Sequence, residues 1–579
     1  MRARSRQTWP ILLIFVLFTA CSGGGGGSPG KYANTAAQIS DYIERQRATY
    51  GINAVSIALV DDQQVVWARG FGYADAARSV PTTADTQFEI CSVSKLFGGT
   101  LIMQLSDQGK LDIGDSLTKY IPTFSIGQPL GFTVTNPQPI TIRSMLTHHS
   151  GIPGDIMNWS TTAAFDSTFN DRLIAYLQGD YLAYPTNFMM DYSNSAVALL
   201  SSVIVSASGQ TFETYSEALF QALGMDHSSF YRSSPKISGF QAAGFSQGVA
   251  QPSYMINVTT AGSIISSAND MAKFIKMVLA NGMGERQRVL NASTLEQMLT
   301  RTNDGMPLDS SSIGLSWFLS DAGLDYAGRL CWHNGQSDGF VSHLEILREH
   351  KLGVIVLVND GNRNDECSAI ARQALKLAVA EKTGITAPAP VQQTYGALVT
   401  WDQAALDALQ GTYVLSSTDS GKGYITVQSV AGALEWTNPV GATIHIAPRE
   451  NGWLSSPTSP SFECEFVEID GRRILRVHQN GQTQLYAEYA GPVAIPAAWS
   501  ARVGSYTATN WVSVEPAPPL LLAVENGMLV MTTNENVFVL AAVSDTLAYV
   551  RGLGRQRGSA VKVVGPDEIQ FLGVSYRKI

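Results

Sequence analysis

Three short patterns in this 579-residue chain carry groups that could act together. In "EICSVSKLF", residues 89–97, Ser92 stands three positions ahead of Lys95. A serine hydroxyl is a poor nucleophile until a neighbour takes its proton. At i and i+3 on a helix the two side chains share a face, so the amine can reach the hydroxyl. The amine is a base only while neutral, and burial or a nearby cation moves its pKa toward that state. In "DYSNSAVALLSSVI", Tyr192 and Asn194 sit in a polar turn that feeds an apolar helix-like run. In "CWHNGQSDGF", His333 lies on a strand-like run ending in Gly335 and Gly339.

Each pattern alone is weak. Ser-x-x-Lys recurs at Ser116–Lys119 and Ser233–Lys236, Tyr-x-Asn at Tyr32–Asn34, and His-x-Gly at His149–Gly151. Order and context separate the first set from these. Ser92 opens a helix directly after a β region, Tyr192 follows 100 residues later, and His333 a further 141.

The elements that must position them follow from apolar spacing. Ile39, Tyr42 and Ile43 have helical spacing. "AVSIALVDD" and "QVVWARGFGYAD" read as strands. A helix opens near Ser92, with Leu96, Leu101 and Leu105 on its buried side. "SSANDMAKFIKMVLANG" reads as a capped helix from Ser267 to Gly282. Three more strands, "RLCWHNG", "SHLEIL" and "LGVIVLVND", precede a last helix, "ECSAIARQALKLAVAEK". Two strands early, three late and a helical middle predict an α+β unit over 34–383: an antiparallel sheet flanked by helices, with a helical lobe. Residues 384–400 read as a linker. Beyond it, short alternating runs split by Gly, Asn and Pro give β-rich modules at 401–494 and 495–579. "LQGTYVLSS" is echoed by "RVGSYTATN" at an offset of 93, and "VAGALEWT" by "ENGMLVMT". The repeat fits two small barrel-like modules or one barrel with duplicated halves. No charged or aromatic cluster in 401–579 names a ligand.

Composition sets the class. With 45% hydrophobic and 15% charged residues, the chain is globular and long enough for several cores. A net charge of −9 and no long basic run argue against nucleic acid as a partner. Arg2, Arg4 and Arg6 precede the eight-residue apolar run Ile11–Phe18, too short to span a bilayer. "FTAC" follows, then "SGGGGGSPG", a flexible tether. Residues 1–20 resemble a bacterial lipoprotein signal with Cys21 as the lipidated residue, although Phe18 stands where leucine is usual. The alternative is an ordinary secretory signal with an incidental cysteine. Residues 21–33 form the tether, and the expected site is the cell envelope, membrane-anchored on the periplasmic or extracellular face. Cys367 has core spacing, whereas a bridge between Cys91 and Cys331 is left open. His148 and His149 lie in a Gly/Pro loop without an acidic or cysteine partner at ligand spacing, which points to hydrogen bonding rather than metal.

The ordered set Ser92-x-x-Lys95, Tyr192-x-Asn194 and His333-x-Gly335 resembles the serine β-lactamase-related superfamily. That group holds class C β-lactamases, low-molecular-weight penicillin-binding proteins, and esterases and D-aminopeptidases of the same fold. "ITIRSMLTHHSGIPG", "TAGSIISSANDMAKF" and "HNGQSDGFVSHLEI" support the resemblance, which covers about 35–383. It implies a five-stranded antiparallel sheet flanked by helices, a helical lobe, and the site between them. Ser92 would be the acylated nucleophile, Lys95 its proton acceptor, and Tyr192 the proton shuttle. Asn194, His333, Gly335 and Gln336 would bind substrate, with the N–H groups of Ser92 and Gln336 as the oxyanion hole. No cofactor or metal is implied. Some members carry C-terminal β-barrels that border the active site. Two departures stand out: Cys91 replaces the usual glycine before the serine, and His333 replaces the lysine of true β-lactamases. Histidine is only partly charged near neutral pH, so it suits a substrate carboxylate less well. The expectation is a lipid-anchored serine hydrolase acting on an ester, amide or D-amino-acid peptide. The alternative is a penicillin-binding or sensor protein that binds or acylates without turnover.

Overall fold

The early and late apolar runs meet in one antiparallel sheet. Strands β1 (Ala54–Asp61) and β2 (Gln64–Gly72) form one side. Strands β3 (Phe318–Leu319), β4 (Leu330–Gln336), β5 (Val341–Leu347) and β6 (Leu352–Val358) form the other. The order is β2-β1-β6-β5-β4-β3, with Val55 opposite Val358 and His333 opposite Leu344. The sixth strand, β3, is two residues long and pairs only Cys331 and Trp332, so β4 is an edge from His333 onward. The computed structural model describes residues 31–579 apart from 157, 238–240, 309–311, 320–322, 390–394, 417–422, 438–440, 459–460, 480–481, 514–515 and 534–535. The signal segment, Cys21 and the tether up to residue 30 lie outside the described residues.

Both faces of the sheet are covered. Helices α1 (Ala33–Tyr50) and α5 (Asn364–Thr383) bury Ile39, Ile43 and Ile370 against Val55, Ile57 and Val356. Helices α2 (Ser94–Asp107) and α4 (Ala268–Leu279) bury Leu96, Phe97 and Ile275 against Ala58, Ile355 and Leu357. A strand covered on both faces has no polar alternation, which is why β1 and β6 read as unbroken apolar runs. The folded unit begins inside the segment that the composition assigns to the tether: Tyr32 is buried and donates to Asp61 at 2.8 Å. Helix α4 starts as its sequence predicts, Ser267 accepting from the Asp270 N–H at 3.2 Å.

Helix α2 departs from expectation. Its spacing predicts one buried side, yet every residue from Ser94 to Met103 is buried. The reason is a second layer: α3 (Asn194–Ser208) and the turn Thr259–Gly262 pack on the face away from the sheet. The helix therefore runs through the middle of the N-terminal α+β unit, where an amphipathic pattern has no solvent face to report.

The C-terminal repeat is two closed eight-stranded barrels, over 411–489 and 504–578. Each is closed by its first and last strands, Tyr413 opposite Tyr489 and Tyr506 opposite Lys578. Their matching features sit at equal places. Tyr413 donates to the Leu409 carbonyl at 2.7 Å, and Tyr506 to that of Arg502 at 2.6 Å. A short helix before each barrel buries Leu406 or Trp499 in its core.

The second barrel is docked on the α+β unit. Asn158 donates to the carbonyls of Asn510 and Gly573 at 3.0 and 3.2 Å. The loop between its fifth and sixth strands is pinned by Tyr184, whose hydroxyl accepts from the Gly554 N–H at 2.9 Å and lies 2.9 Å from the Gly554 carbonyl. Gly558 in this loop has φ +75°, and an added Cβ would lie 2.3 Å from the Ala183 carbonyl oxygen. A side chain there forces both strain and a backbone shift. Gly558→Ala is expected to destabilise the full chain by more than about 1 kcal/mol, read as a lowered Tm. An unchanged Tm refutes the tight seating of this loop.

Candidate active site

The strand Gln87–Glu89 runs into a single 3₁₀ turn, Cys91–Val93, that hands the chain to α2. Cys91 has φ +49°, in the left-handed region. Glycine adopts it freely, whereas an L side chain there costs about 1 kcal/mol. The usual glycine before the serine thus has a backbone reason, and Cys91 bears the strain instead. Its Sγ lies 3.7 Å from the Glu89 carbonyl and 3.8 Å from that of Phe340. Burial, and then the charge of Glu89, push its thiol pKa up. Cys91, Cys331, Cys367 and Cys464 are all buried free thiols, so the bridge left open between the first two is absent.

Lys95 enters from the first turn of α2 and is 1% exposed. Its Nζ lies 3.1 Å from Ser92 Oγ, 2.6 Å from Asn194 Oδ1 and 2.6 Å from the Ala261 carbonyl. Burial, and next the positive charge of Arg555, hold its pKa well below the ordinary lysine value. A neutral amine has two N–H donors and one lone pair. Asn194 Oδ1 and the Ala261 carbonyl take the two donors, which leaves the lone pair to Ser92. Tyr192 stands beside this pair, its ring centre 4.8 Å from Lys95 Nζ. Burial raises its pKa while the Ser92 hydroxyl opposes the rise, so it stays a phenol.

Two histidines brace the tyrosine. His148 stacks on its ring at 4.3 Å and accepts from the Ser193 N–H at 3.1 Å through Nδ1. The His333 ring centre lies 6.3 Å from that of Tyr192, and His333 is 1% exposed. Burial, and next Lys95, lower the His333 pKa to about 3, so the ring is neutral. Burial and Lys95 likewise lower that of His148. His333 is buried against Tyr192 and Phe318. Gly335 is buried beside Cys91, and Gln336 reaches the cavity. Trp332 is strand packing, stacked on Phe318 and His343. The competing Ser-x-x-Lys pairs are surface features: Ser116 caps a one-turn helix and Lys119 pairs with Asp115, while Lys236 pairs with Glu217.

A cavity of about 320 Å³ opens at Ser92. One wall is Phe169, Tyr254 and Ile256 of the α+β unit, and another is Trp511, Ser513 and Gln556 of the second barrel. Thr161 and Ser513 seal the seam, their hydroxyls 2.8 Å apart. A larger cavity of about 670 Å³, at the junction with both barrels, contains none of the sequence-predicted residues. Sequence reasoning missed five site residues: Asp155, Trp511, Ser513, Arg555 and Gln556. Asp155 follows directly on the "SGIPG" stretch. It accepts from Asn194 Nδ2 at 2.7 Å and from Arg555 Nε at 2.7 Å. Although burial opposes it, Arg555 and Asn194 hold its carboxyl below the usual range. The signal for Arg555 was present in "RGLGRQRG", a loop stretch with three arginines and three glycines. Nothing local connects that loop to a serine more than 450 positions away.

Residues 39–379, more than half of the chain, match the Beta-lactamase family. The protein flp of Staphylococcus aureus is 27% identical over 327 residues, which cover 56% of this chain and 62% of that protein. Beta-lactamase-like protein 2 of Dictyostelium discoideum is 26% identical over 335 residues, covering 55% and 58%. The chain therefore spans about three fifths of these curated relatives. Among solved structures, the octameric penicillin-binding protein homologue of Pyrococcus abyssi aligns over 79% of this chain and all of its own, with TM-score 0.51 and 22% identity. SurE bound to D-Leu aligns over the same shares, with TM-score 0.55 and 19% identity. The matched segment holds the sheet, the helical lobe and Ser92, Lys95, Asp155, Tyr192, Asn194 and His333, and the chain belongs to the Beta-lactamase family.

Proposed function

We propose that the protein is a serine hydrolase that works through an acyl-enzyme on Ser92. The observation that carries this is the 3.1 Å contact between Ser92 Oγ and a buried Lys95 amine whose lone pair has no other partner. Lys95 takes the Ser92 proton as the hydroxyl attacks. Tyr192, kept as a phenol, relays a proton to the leaving group and then aids the water that releases the acyl group. The N–H groups of Ser92 and Gln336 face the developing oxyanion.

The cleft favours an ester, an amide or a D-amino-acid peptide over a β-lactam. His333 is neutral and withdrawn, and the charged side chains lining the cavity among the described residues are the carboxylates Asp155 and Asp338. Asp155 is paired with Arg555, which leaves Asp338 as the open charge of that lining. A substrate carboxylate has no unpaired cation in that lining, whereas an amine has Asp338 as a partner. SurE, a protein of similar fold, is known with D-Leu bound. We also place the protein on the cell envelope, held by a lipid on Cys21, because a signal-like segment and a Gly/Ser tether precede the folded unit.

Three outcomes test the reading. A fluorophosphonate is expected to add one covalent mass to the wild type and none to Ser92→Ala. No adduct on the wild type sinks the hydrolase assignment. At Gly335 an added Cβ would lie 2.4 Å from the Ile90 carbonyl oxygen and 2.9 Å from Cys91 Cβ. Gly335→Ala should push β4 from the nucleophile turn and lower kcat/KM for a p-nitrophenyl ester by about 10²-fold, with the circular dichroism spectrum unchanged. Trp511→Ala should raise KM for a bulky acyl ester by about tenfold while changing that for an acetyl ester little. Equal effects on both esters refute a barrel-built acyl wall.

A further inference from the structure

The second barrel reaches the catalytic pair through one unbroken set of polar contacts. Arg555 Nε donates to Asp155 Oδ2 at 2.7 Å. Asp155 Oδ1 accepts from Asn194 Nδ2 at 2.7 Å, and Asn194 Oδ1 accepts from Lys95 Nζ at 2.6 Å. The direction of each bond follows from the groups themselves. An ionised carboxylate can only accept, so Asn194 must turn its NH₂ to Asp155. Its carbonyl oxygen must then face Lys95 and take one N–H, and the lone pair is left for Ser92. The guanidinium also lies over the Tyr192 ring, 5.3 Å from its centre.

We propose that Arg555, brought to the cleft by the second barrel, is a positioning residue for the Ser92–Lys95 pair and acts through Asp155 and Asn194. This rests on the reading of Lys95 as the base for Ser92. Arg555 touches neither reacting atom. It keeps Asp155 ionised and oriented, and it cancels a negative charge that would otherwise draw a proton onto the lysine.

The charges around Lys95 leave this pair in control. From the nucleophile turn comes Cys91, kept as a thiol. From the loop before α3 come Tyr192, kept as a phenol, and Asp191, a buried carboxyl without a partner among the described residues. Burial raises the Asp191 pKa, which favours its uncharged form. His148, from the loop after the short helix Ile142–Leu146, and His333, from β4, are neutral. The turn Thr259–Gly262 contributes only the Ala261 carbonyl. Asp155 and Arg555 are the two ionised groups that bear on the amine.

The sign follows. Removing Arg555 takes away a cation and uncovers an anion, so the ammonium form of Lys95 gains and its titration moves to higher pH. Removing the Asp155 charge alone moves it to lower pH. Removing both returns it toward the starting value.

The test is the titration of Lys95, followed on its ¹³Cε resonance in lysine-labelled full-length protein and assigned with Lys95→Met. It runs in parallel with the pH dependence of kcat/KM on a p-nitrophenyl ester. Arg555→Gln is expected to raise the Lys95 midpoint and the acid limb by about one pH unit. Asp155→Asn should lower both, and Arg555→Gln/Asp155→Asn should return them toward the wild type. Arg555→Lys, which keeps the charge, should leave them near the wild type and serves as the fold control. A midpoint unmoved in Arg555→Gln, or moved equally in Arg555→Lys, overturns the proposal. If the esters are not turned over but the midpoints shift in this order, the hydrolase reading fails and the link from Arg555 to Lys95 stands.

Discussion

A lysine amine enclosed by three neutral partners is the constraint on which the arrangement depends. Water stabilises an ammonium strongly, and a buried ammonium without a carboxylate in contact gives up its proton instead. Lys95 is 1% exposed and its direct partners are a hydroxyl, an amide oxygen and a backbone carbonyl. To hold it there, α2 must be covered on every side. That accounts for the two-layer enclosure by sheet and helical lobe, and for a helix whose sequence has lost its polar face. The same enclosure acts on the neighbours in a consistent direction. Tyr192 stays a phenol, and His148 and His333 stay uncharged, so neither histidine adds a positive charge beside the amine.

The ion pair that joins the second barrel to this centre is small in stability terms. Arg555 is half exposed, its side chain at 50%, and a pair so open to solvent contributes about 1 kcal/mol or less to stability. Docking of the barrel rests on other contacts: the Asn158 amide under 510 and 573, the Thr161–Ser513 seam, and the Tyr184 clamp on the loop. One charge is nevertheless large for a titrating group nearby. An opposite or like charge a few ångströms away moves a pKa by one to three pH units. The pair therefore matters through the lysine, and the barrel contributes both a wall and a charge to the cleft.

Much of this was legible in the sequence because it is written in local patterns. The strands of the sheet and helices α1, α4 and α5 have periodicities and caps within single segments. Ser92, Lys95, Tyr192 and Asn194 lie at element starts, where spacing of two or three residues fixes the geometry within each pair. The closed barrels were visible as a repeat, although two barrels and one duplicated barrel have the same alternation. What stayed hidden needed a third dimension. The buried position of His333 depends on Tyr192 and Phe318 closing over an edge strand, which no alternation reports. Asp155 and Arg555 are 400 residues apart, and each is an ordinary loop residue in its own segment.

Position 91 shows how such long-range demands constrain single residues. The left-handed turn that presents Ser92 would suit glycine, and a cysteine there must place its Cβ somewhere. It places it against β4, where a Cβ on residue 335 would be 2.9 Å away. Gly335 thus serves two needs at once: close approach of the edge strand to the cleft, and room for the side chain before the nucleophile. A cysteine at 91 and a bulkier residue at 335 are mutually exclusive on this backbone. The departure from glycine before the serine is tolerated because the opposite wall has no side chain to meet it.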